Sequence, residues 1–253
     1  MSNPCPLVIV FHGSKQTGEK MRQSCGYEFD RLADQYKFIV AYPNGYKNHW
    51  NDNRLQAPYE ARQLNIGDKR FIQKLIDQQK PSIVFAVGYS NGGHFVFRLA
   101  LEMTERFAAC AAISANLPTD GNTDVRLTHQ PIPMLIMNGT NDKINPYNGG
   151  EVSFWGFQSR GQVRSSWSTA QYFADQYGLH SLHVSSKYLT NNCQSTTWND
   201  DGNKPKIVLL TIHKGGHVIP QPNYRAPRIL GLTDTKFNGP KELWHFLQSQ
   251  FEK

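Results

Sequence analysis

The sequence predicts an α/β fold built on a mainly parallel, doubly wound sheet, and three observations predict it. Apolar runs of strand length alternate with helical patterns, each run ends in a Gly- or Asn-rich polar loop, and the run over 83–87 passes through Gly88-Tyr89-Ser90-Asn91-Gly92 straight into a helical pattern. In such a sheet every strand's C-terminal end lies on one edge, where sites form. The 253 residues allow one sizeable core, and no repeat, low-complexity tract or linker divides them, so one domain over 1–253 is expected.

Residues 7–11 form the first buried strand and open into His12-Gly13-Ser14-Lys15-Gln16-Thr17. The chain enters this strand so early that upstream strands or a signal peptide are expected to be missing. A helix is expected over 21–36, then a second strand over 38–42, stopped by Pro43-Asn44-Gly45. The loop 46–58 carries His49, Trp50, Asn51, Asp52 and Asn53. An aromatic among polar groups beyond a strand end is placed to line a pocket, although a lone Trp is more often packed in a core. Over 66–76, Phe71, Ile72, Leu75 and Ile76 share one helical face, and Pro81 separates that helix from the strand at 83–87. After Ser90, the residues Phe95, Val96, Leu99, Ala100 and Met103 form the buried stripe of the next helix.

A small-residue strand over 108–114 and a polar loop lead to a strand over 132–137, with Pro133 near its start, and so to Asn138-Gly139-Thr140-Asn141-Asp142. Residues 150–200 give the weakest pattern: a helix over 162–177 within polar loop that holds Trp155, Trp167 and Trp198. The last strand, 206–212, runs into His213-Lys214-Gly215-Gly216-His217. A helix over 240–251 with Pro240 near its start closes the chain.

Gly88-x-Ser90-x-Gly92 sits where a nucleophile elbow needs it, on a strained strand-to-helix turn whose neighbours must lack a Cβ. The turn would lift the Ser90 hydroxyl above the sheet edge and leave the Asn91 N–H at a helix N-terminus, aimed at a developing oxyanion. The alternative is a Gly-rich turn that contains a serine by chance. Gly13-x4-Gly18 has the outline of a phosphate loop, but Glu19-Lys20 stands where Lys and a hydroxyl are required, so phosphate binding is rejected. Instead the N–H of Ser14, or of Lys15, is expected to turn toward Ser90 as a second oxyanion donor.

Ser90, Asp142 and His217 each follow a strand, in the Ser…Asp…His order of an α/β-hydrolase. A serine hydroxyl is a weak nucleophile until an imidazole takes its proton, and a carboxylate fixes that imidazole's tautomer. His213 competes with His217, and Asp120 and Asp124 are weaker candidates than Asp142. His213 and His217 have i,i+4 metal-pair spacing, but Gly215-Gly216 between them opposes a helix. The same glycines are expected to let His217 swing over the site.

Charged residues make up 19% of the chain, below the roughly 25% of typical domains. The net charge of +7 comes from scattered Lys and Arg without a basic run, which argues against nucleic-acid binding. No apolar run is long enough to span a bilayer, and no signal peptide opens the chain. Cys5, Cys25, Cys110 and Cys193 lack metal spacing, and neither a metal nor another cofactor is expected; Cys110 reads as a small buried side chain.

Taken together, Pro6-Leu7-Val8-Ile9-Val10-Phe11-His12-Gly13 with Gln16-Thr17, Tyr42-Pro43-Asn44-Gly45, Trp50-Asn51, Gly88-Tyr89-Ser90-Asn91-Gly92-Gly93, Asn138-Gly139-Thr140-Asn141-Asp142 and Gly215-Gly216-His217 resemble a family. It is that of the secreted esterases grouped with polyhydroxybutyrate depolymerases and feruloyl or acetylxylan esterases of the α/β-hydrolase fold. The resemblance implies Ser90, Asp142 and His217 as catalytic residues and Trp50 and the loop after it, with Asn51, at the substrate; Tyr89 is also expected there, and Asn91 and Ser14 stand as the oxyanion donors read from the elbow and the first loop. The resemblance also implies an acyl-enzyme route to ester hydrolysis on polyhydroxyalkanoate or on acyl or feruloyl polysaccharide esters, and a secreted or periplasmic location. Departures at Ser14, Asn138, Lys214 and Val218-Ile219 bear on substrate more than on chemistry. A serine peptidase or acyltransferase on the same scaffold, or a non-catalytic polymer-binding protein using Trp50 and Trp155, are the alternatives.

Overall fold

The structure, a computed structural model, describes residues 5–125 and 130–251. Ten strands are present among them: β1 (Leu7–Phe11), β2 (Ile39–Ala41), β3 (Val84–Tyr89), β4 (Ala109–Ile113), β5 (Met134–Gly139), β6 (Gly150–Glu151), β7 (Gln162–Val163), β8 (Val184–Thr190), β9 (Cys193–Asn199) and β10 (Pro205–Ile212). Seven α-helices accompany them: α1 (Gly18–Ser24), α2 (Glu28–Tyr36), α3 (Glu60–Gln63), α4 (Asp68–Gln79), α5 (Asn91–Glu102), α6 (Ser166–Asp175) and α7 (Gly239–Ser249).

Eight strands form one sheet in the order β2-β1-β3-β4-β5-β10-β9-β8. All neighbours from β2 to β10 pair in parallel, and β9 alone runs against the rest. This is the doubly wound sheet that the alternating pattern predicts. Period-two side-chain alternation supplies both of its faces. Leu7, Ile9 and Phe11 join the core that holds Ile72 and Ile76 of α4, Phe95 and Leu99 of α5, and Phe173 of α6. Val8 and Val10 point into the opposite core, with Met21 of α1, Phe29 and Leu32 of α2, and Leu243 and Trp244 of α7.

The expected helix over 21–36 is two helices, because Gly26 (φ 63°) and Tyr27 (φ 57°) turn left-handed between them. Phe71 is not on the buried face of α4; it is 43% exposed, and Ile72 and Ile76 carry the packing. The helix expected over 162–177 begins only at Ser166, after β7, where the Ser165 hydroxyl caps it by accepting from the Ser168 N–H. Residues 184–199, read as polar loop, form the β8–β9 hairpin at the sheet edge. Its cross-strand pairs are Ser185 with Thr197 and Ser186 with Thr196, hydroxyl to hydroxyl, so no apolar run marks it. Residues 126–129, part of the polar loop expected before β5, lie outside the described residues.

At the elbow β3 hands over to α5, and the helix lies hard against β1. A Cβ on Gly92 would run into the carbonyl oxygens of Phe11 and His12, and one on Gly88 into the Gly92 carbonyl. The obstacles are backbone atoms at the end of β1 and in the first turn of α5, so none can give way locally. Gly92→Ala is therefore expected to cost about 2–4 kcal/mol, whereas Gly121→Ala should move stability by less than about 0.5 kcal/mol. At Gly121 an added Cβ meets nothing within 4 Å. Urea midpoints of the two variants check this, and equal midpoints would refute the account of the elbow.

Candidate active site

Ser90 follows β3 directly and adopts φ 54°, ψ −117°, a region that costs a non-glycine residue on the order of 1–3 kcal/mol. The strain is held by the sheet: the Ser90 N–H donates at 2.8 Å to the carbonyl of Ile113, the last residue of β4. Asp142 lies three residues past β5 and His217 five past β10, so parallel pairing brings all three to one edge. His217 Nε2 lies 2.8 Å from Ser90 Oγ, and His217 Nδ1 lies 2.7 Å from Asp142 Oδ2. An ionised carboxylate only accepts, so Nδ1 carries the proton and Nε2 turns its lone pair to the hydroxyl. Asp142 is itself oriented by the backbone N–H groups of Ile144 and Asn145, each 2.8 Å from Oδ1.

The glycines before His217 do something other than the freedom expected of them. Neither has a positive φ, and a Cβ on Gly216 would strike the Leu230 carbonyl. They let the loop lie flush on residues 230–232, where the His217 N–H donates to Leu230 O at 2.6 Å. Tyr89 closes the other side, its hydroxyl donating to His217 O at 2.7 Å. His217 is thereby fixed rather than swinging.

Of the two candidate donors in the first loop, Lys15 is engaged, giving its N–H to Asn48 O at 2.9 Å. The Ser14 and Asn91 N–H groups have no partner among the described residues. His12 shapes that loop. It accepts the Gly45 N–H on Nε2 at 3.0 Å and donates from Nδ1 to Gly13 O at 2.8 Å. Burial lowers its pKa, which keeps it neutral and in this tautomer. The Ser14 hydroxyl donates to Tyr59 Oη at 2.7 Å.

Ser90 and His217 open onto a cavity of about 690 Å³. Trp50 does not line it, which corrects the expectation. The indole is fully buried, stacked on Phe95 at 5.3 Å and edge-on to Phe11 at 5.2 Å, with Nε1–H donating to His12 O. Asn51 likewise faces away, donating from Nδ2 to Asn65 Oδ1 and Ile66 O. Tyr89 does line the cavity. The competitors lie elsewhere: Asp120 pairs with Arg164, Asp124 with Arg62 and Arg98, and His213 stacks on Tyr188. Trp155, offered as a polymer contact, is 53% exposed. Cys25, Cys110 and Cys193 are buried thiols outside any disulfide.

The sequence reading missed Arg54, Tyr59, His94 and Arg160, all on the cavity wall. Arg54 is held bidentately by Asp52, Nη2 to Oδ2 at 2.5 Å and Nε to Oδ1 at 3.2 Å. Tyr59 lies between the guanidinium groups of Arg54 and Arg160, 5.8 and 5.7 Å from its ring centroid. Burial, then the nearby Arg54 charge, puts the His94 pKa well below the ordinary imidazole range. The Asn145 amide lies beside His94, outside good hydrogen-bond geometry.

No family model matches the chain. It is similar to NocK, a provisionally named esterase of Nocardia uniformis subsp. tsuyamanensis, at 26% identity over 92% of this chain and 71% of that one. It is similar to a poly(3-hydroxybutyrate) depolymerase of Ralstonia pickettii at 27% identity over 85% of this chain, and spans 48% of that relative's length. Among solved structures, the acetyl xylan esterase of Aspergillus awamori superposes with a TM-score of 0.63 at 17% identity, over 98% of this chain and 90% of that one. The sheet and its elbow are those of the α/β-hydrolase fold, and the resemblance read from the sequence motifs is borne out by these relatives.

The first residue of α4, behind the site, carries a shifted titration. Asp68 accepts the Asn51 N–H at 2.7 Å, and burial pushes its carboxyl up to about 6, against the pull of that bond and of Arg98. A folded-state pKa above the unfolded value means that the native state binds more protons between about pH 4 and 6, so stability falls as pH rises through that window. Asp68→Asn keeps an acceptor for Asn51 and removes the charge. Relative to wild type it should be stabilised above pH 6 by on the order of 1–3 kcal/mol, with the gain vanishing toward pH 4. Urea unfolding of both proteins at pH 4, 5, 6 and 7 reads the difference directly.

Proposed function

We propose that the protein is a serine carboxylic ester hydrolase that works through an acyl-enzyme. The observation that carries this reading is the unbroken line Asp142 Oδ2, His217 Nδ1, His217 Nε2, Ser90 Oγ, ending at a cavity wall. His217 takes the Ser90 proton as Oγ attacks the ester carbonyl, and Asp142 stabilises the imidazolium. The carbonyl oxygen becomes an oxyanion between the Ser14 and Asn91 N–H groups. The imidazolium returns its proton to the departing alcohol oxygen, leaving the acyl group on Ser90. Water, deprotonated by the same Nε2, then attacks the acyl-enzyme, and the acid leaves as Ser90 recovers its proton.

The relatives named as an esterase and a polyester depolymerase support ester bonds as the target. Hydroxyalkanoate polymer or its oligomers, or acyl and feruloyl esters of polysaccharide, are the substrate classes in this reading. A secreted or periplasmic location belongs to the same proposal and rests on the sequence resemblance.

Ser90→Ala should lower turnover of p-nitrophenyl butyrate by about 10⁶-fold and Asp142→Asn by about 10⁴-fold. Both variants should unfold cooperatively. Undiminished hydrolysis by Ser90→Ala would overturn the mechanism, and faster cleavage of peptide than of ester substrates would redirect it to a peptidase.

A further inference from the structure

The walls of the cavity are charged unevenly. Four cationic side chains line it: Lys15, Lys47, Arg54 and Arg160. Lys47 is paired with Glu60 and Arg54 with Asp52. Lys15, on the exposed rim, and Arg160, within the wall, have no carboxylate within ion-pair distance among the described residues. Arg160 is only 9% exposed. Its Nε donates to Tyr59 Oη at 2.8 Å and its Nη1 to Gln158 O at 3.0 Å, both neutral acceptors. A guanidinium so far removed from water without a counter-ion carries a desolvation cost that neutral acceptors only partly offset.

The same wall holds further polar groups without partners. The Ser114 hydroxyl, both amide atoms of Asn145 and His94 Nδ1 make no hydrogen bond, and each of these residues is 1% exposed. All three residues line the cavity with Arg160. Buried polar atoms are almost always satisfied, so an unpaired cation that shares its cavity wall with unpartnered polar groups marks a place for an anionic, hydrogen-bonding ligand. Ile144, Val152, Phe154 and Leu230 supply apolar wall for the carbons between such a group and the scissile bond.

We propose that the cavity takes esters that carry a free carboxylate, and that Arg160 binds this carboxylate. The inference rests on the ester-hydrolase reading and narrows its substrate class. The carboxylate can belong to the acyl part, as in a dicarboxylic half-ester, or to the alcohol part, as in a hydroxyacid dimer; both present the same charge to Arg160. Arg160 Nε and Ser14 Oγ donate to one atom, Tyr59 Oη, so an anion seated on Arg160 also steadies the residue whose N–H faces Ser90 in the proposed mechanism.

The test compares charged and neutral esters as ratios of kcat/KM. One arm sets mono-p-nitrophenyl glutarate against p-nitrophenyl butyrate, and the other sets the 3-hydroxybutyrate dimer against its methyl ester. In at least one arm the wild type should prefer the anion by about 10-fold or more, and Arg160→Gln should reduce that ratio by about 10–100-fold, through KM, as loss of a charge-assisted pair predicts. Arg160→Lys should restore part of the ratio. Structural damage would lower both members of an arm and leave the ratio alone, so an unchanged ratio in Arg160→Gln overturns the assignment. The arm that responds identifies which side of the ester bears the carboxylate. Preference for the neutral ester in both arms, with Ser90-dependent turnover intact, overturns this inference and leaves the hydrolase reading standing. If neither ester turns over, calorimetric binding of glutarate that Arg160→Gln abolishes would keep the anion site and discard the hydrolase, while no binding would discard both.

Discussion

The carboxamide of Asn91 is the fastening on which the site depends. Its Oδ1 accepts the Trp50 N–H at 2.8 Å, and its Nδ2 donates to Trp50 O at 3.1 Å and to Asp52 Oδ2 at 2.7 Å. The residue after the nucleophile is thus tied to the loop after β2. Asp52 passes the connection on, because the carboxylate that holds Asn91 also holds the backbone and guanidinium of Arg54. A buried ion pair is usually a poor source of stability, since desolvation offsets the Coulomb gain. Here its geometry compensates: four donors converge on Asp52, and the pair fixes one arrangement of the loop against the elbow. Indole packing and a carboxamide clamp therefore set the position of the Asn91 N–H that the proposed mechanism uses.

Much of this was legible in the sequence, and the physical reason is periodicity. The strands β1, β3, β4, β5 and β10 are buried on both faces, so each reads as a short apolar run with a turn at its end. Because parallel strands share an edge, locating their ends also placed Ser90, Asp142 and His217 near one another. What failed was whatever burial pattern did not encode. The β8–β9 hairpin pairs serine and threonine at an edge strand, where little apolar surface is covered, and only the Asn191-Asn192 pair between its strands carried a turn signal. Trp50 illustrates the opposite error. An aromatic in a polar loop reads as pocket lining, yet its polar neighbours are part of the clamp that buries it.

The cavity wall was illegible for a further reason. Arg54, Tyr59 and Arg160 meet only because the loop before α3 and the loop between β6 and β7 converge over the sheet edge, 101 positions apart in the case of Tyr59 and Arg160. Neither loop has a period, and a lone arginine in a loop ordinarily reads as solvated surface. Its burial is a property of the assembled fold. A signal did exist in composition, since the chain carries an excess of basic residues without any basic run, but composition cannot say which cation ends up without a carboxylate.

Scaffold and wall answer to different physics. The hydroxyl, imidazole and carboxylate are positioned by backbone: a strained φ at Ser90, two N–H groups on Asp142, and close-packed glycines behind His217. Those constraints persist whatever side chains the loops bring. The wall is positioned by side chains, chiefly through Tyr59, whose hydroxyl accepts from both Ser14 and Arg160 and whose ring is flanked by two guanidinium groups and stacked on His49. Such a hub is open to change at the cost of a few contacts, because no backbone hydrogen bond of the sheet runs through it. In the proposed mechanism chemistry is thus set by the rigid edge and selectivity by the replaceable loops, and the two are joined at Ser14, whose hydroxyl donates to Tyr59, and at Asp52, which holds Asn91 and Arg54 together.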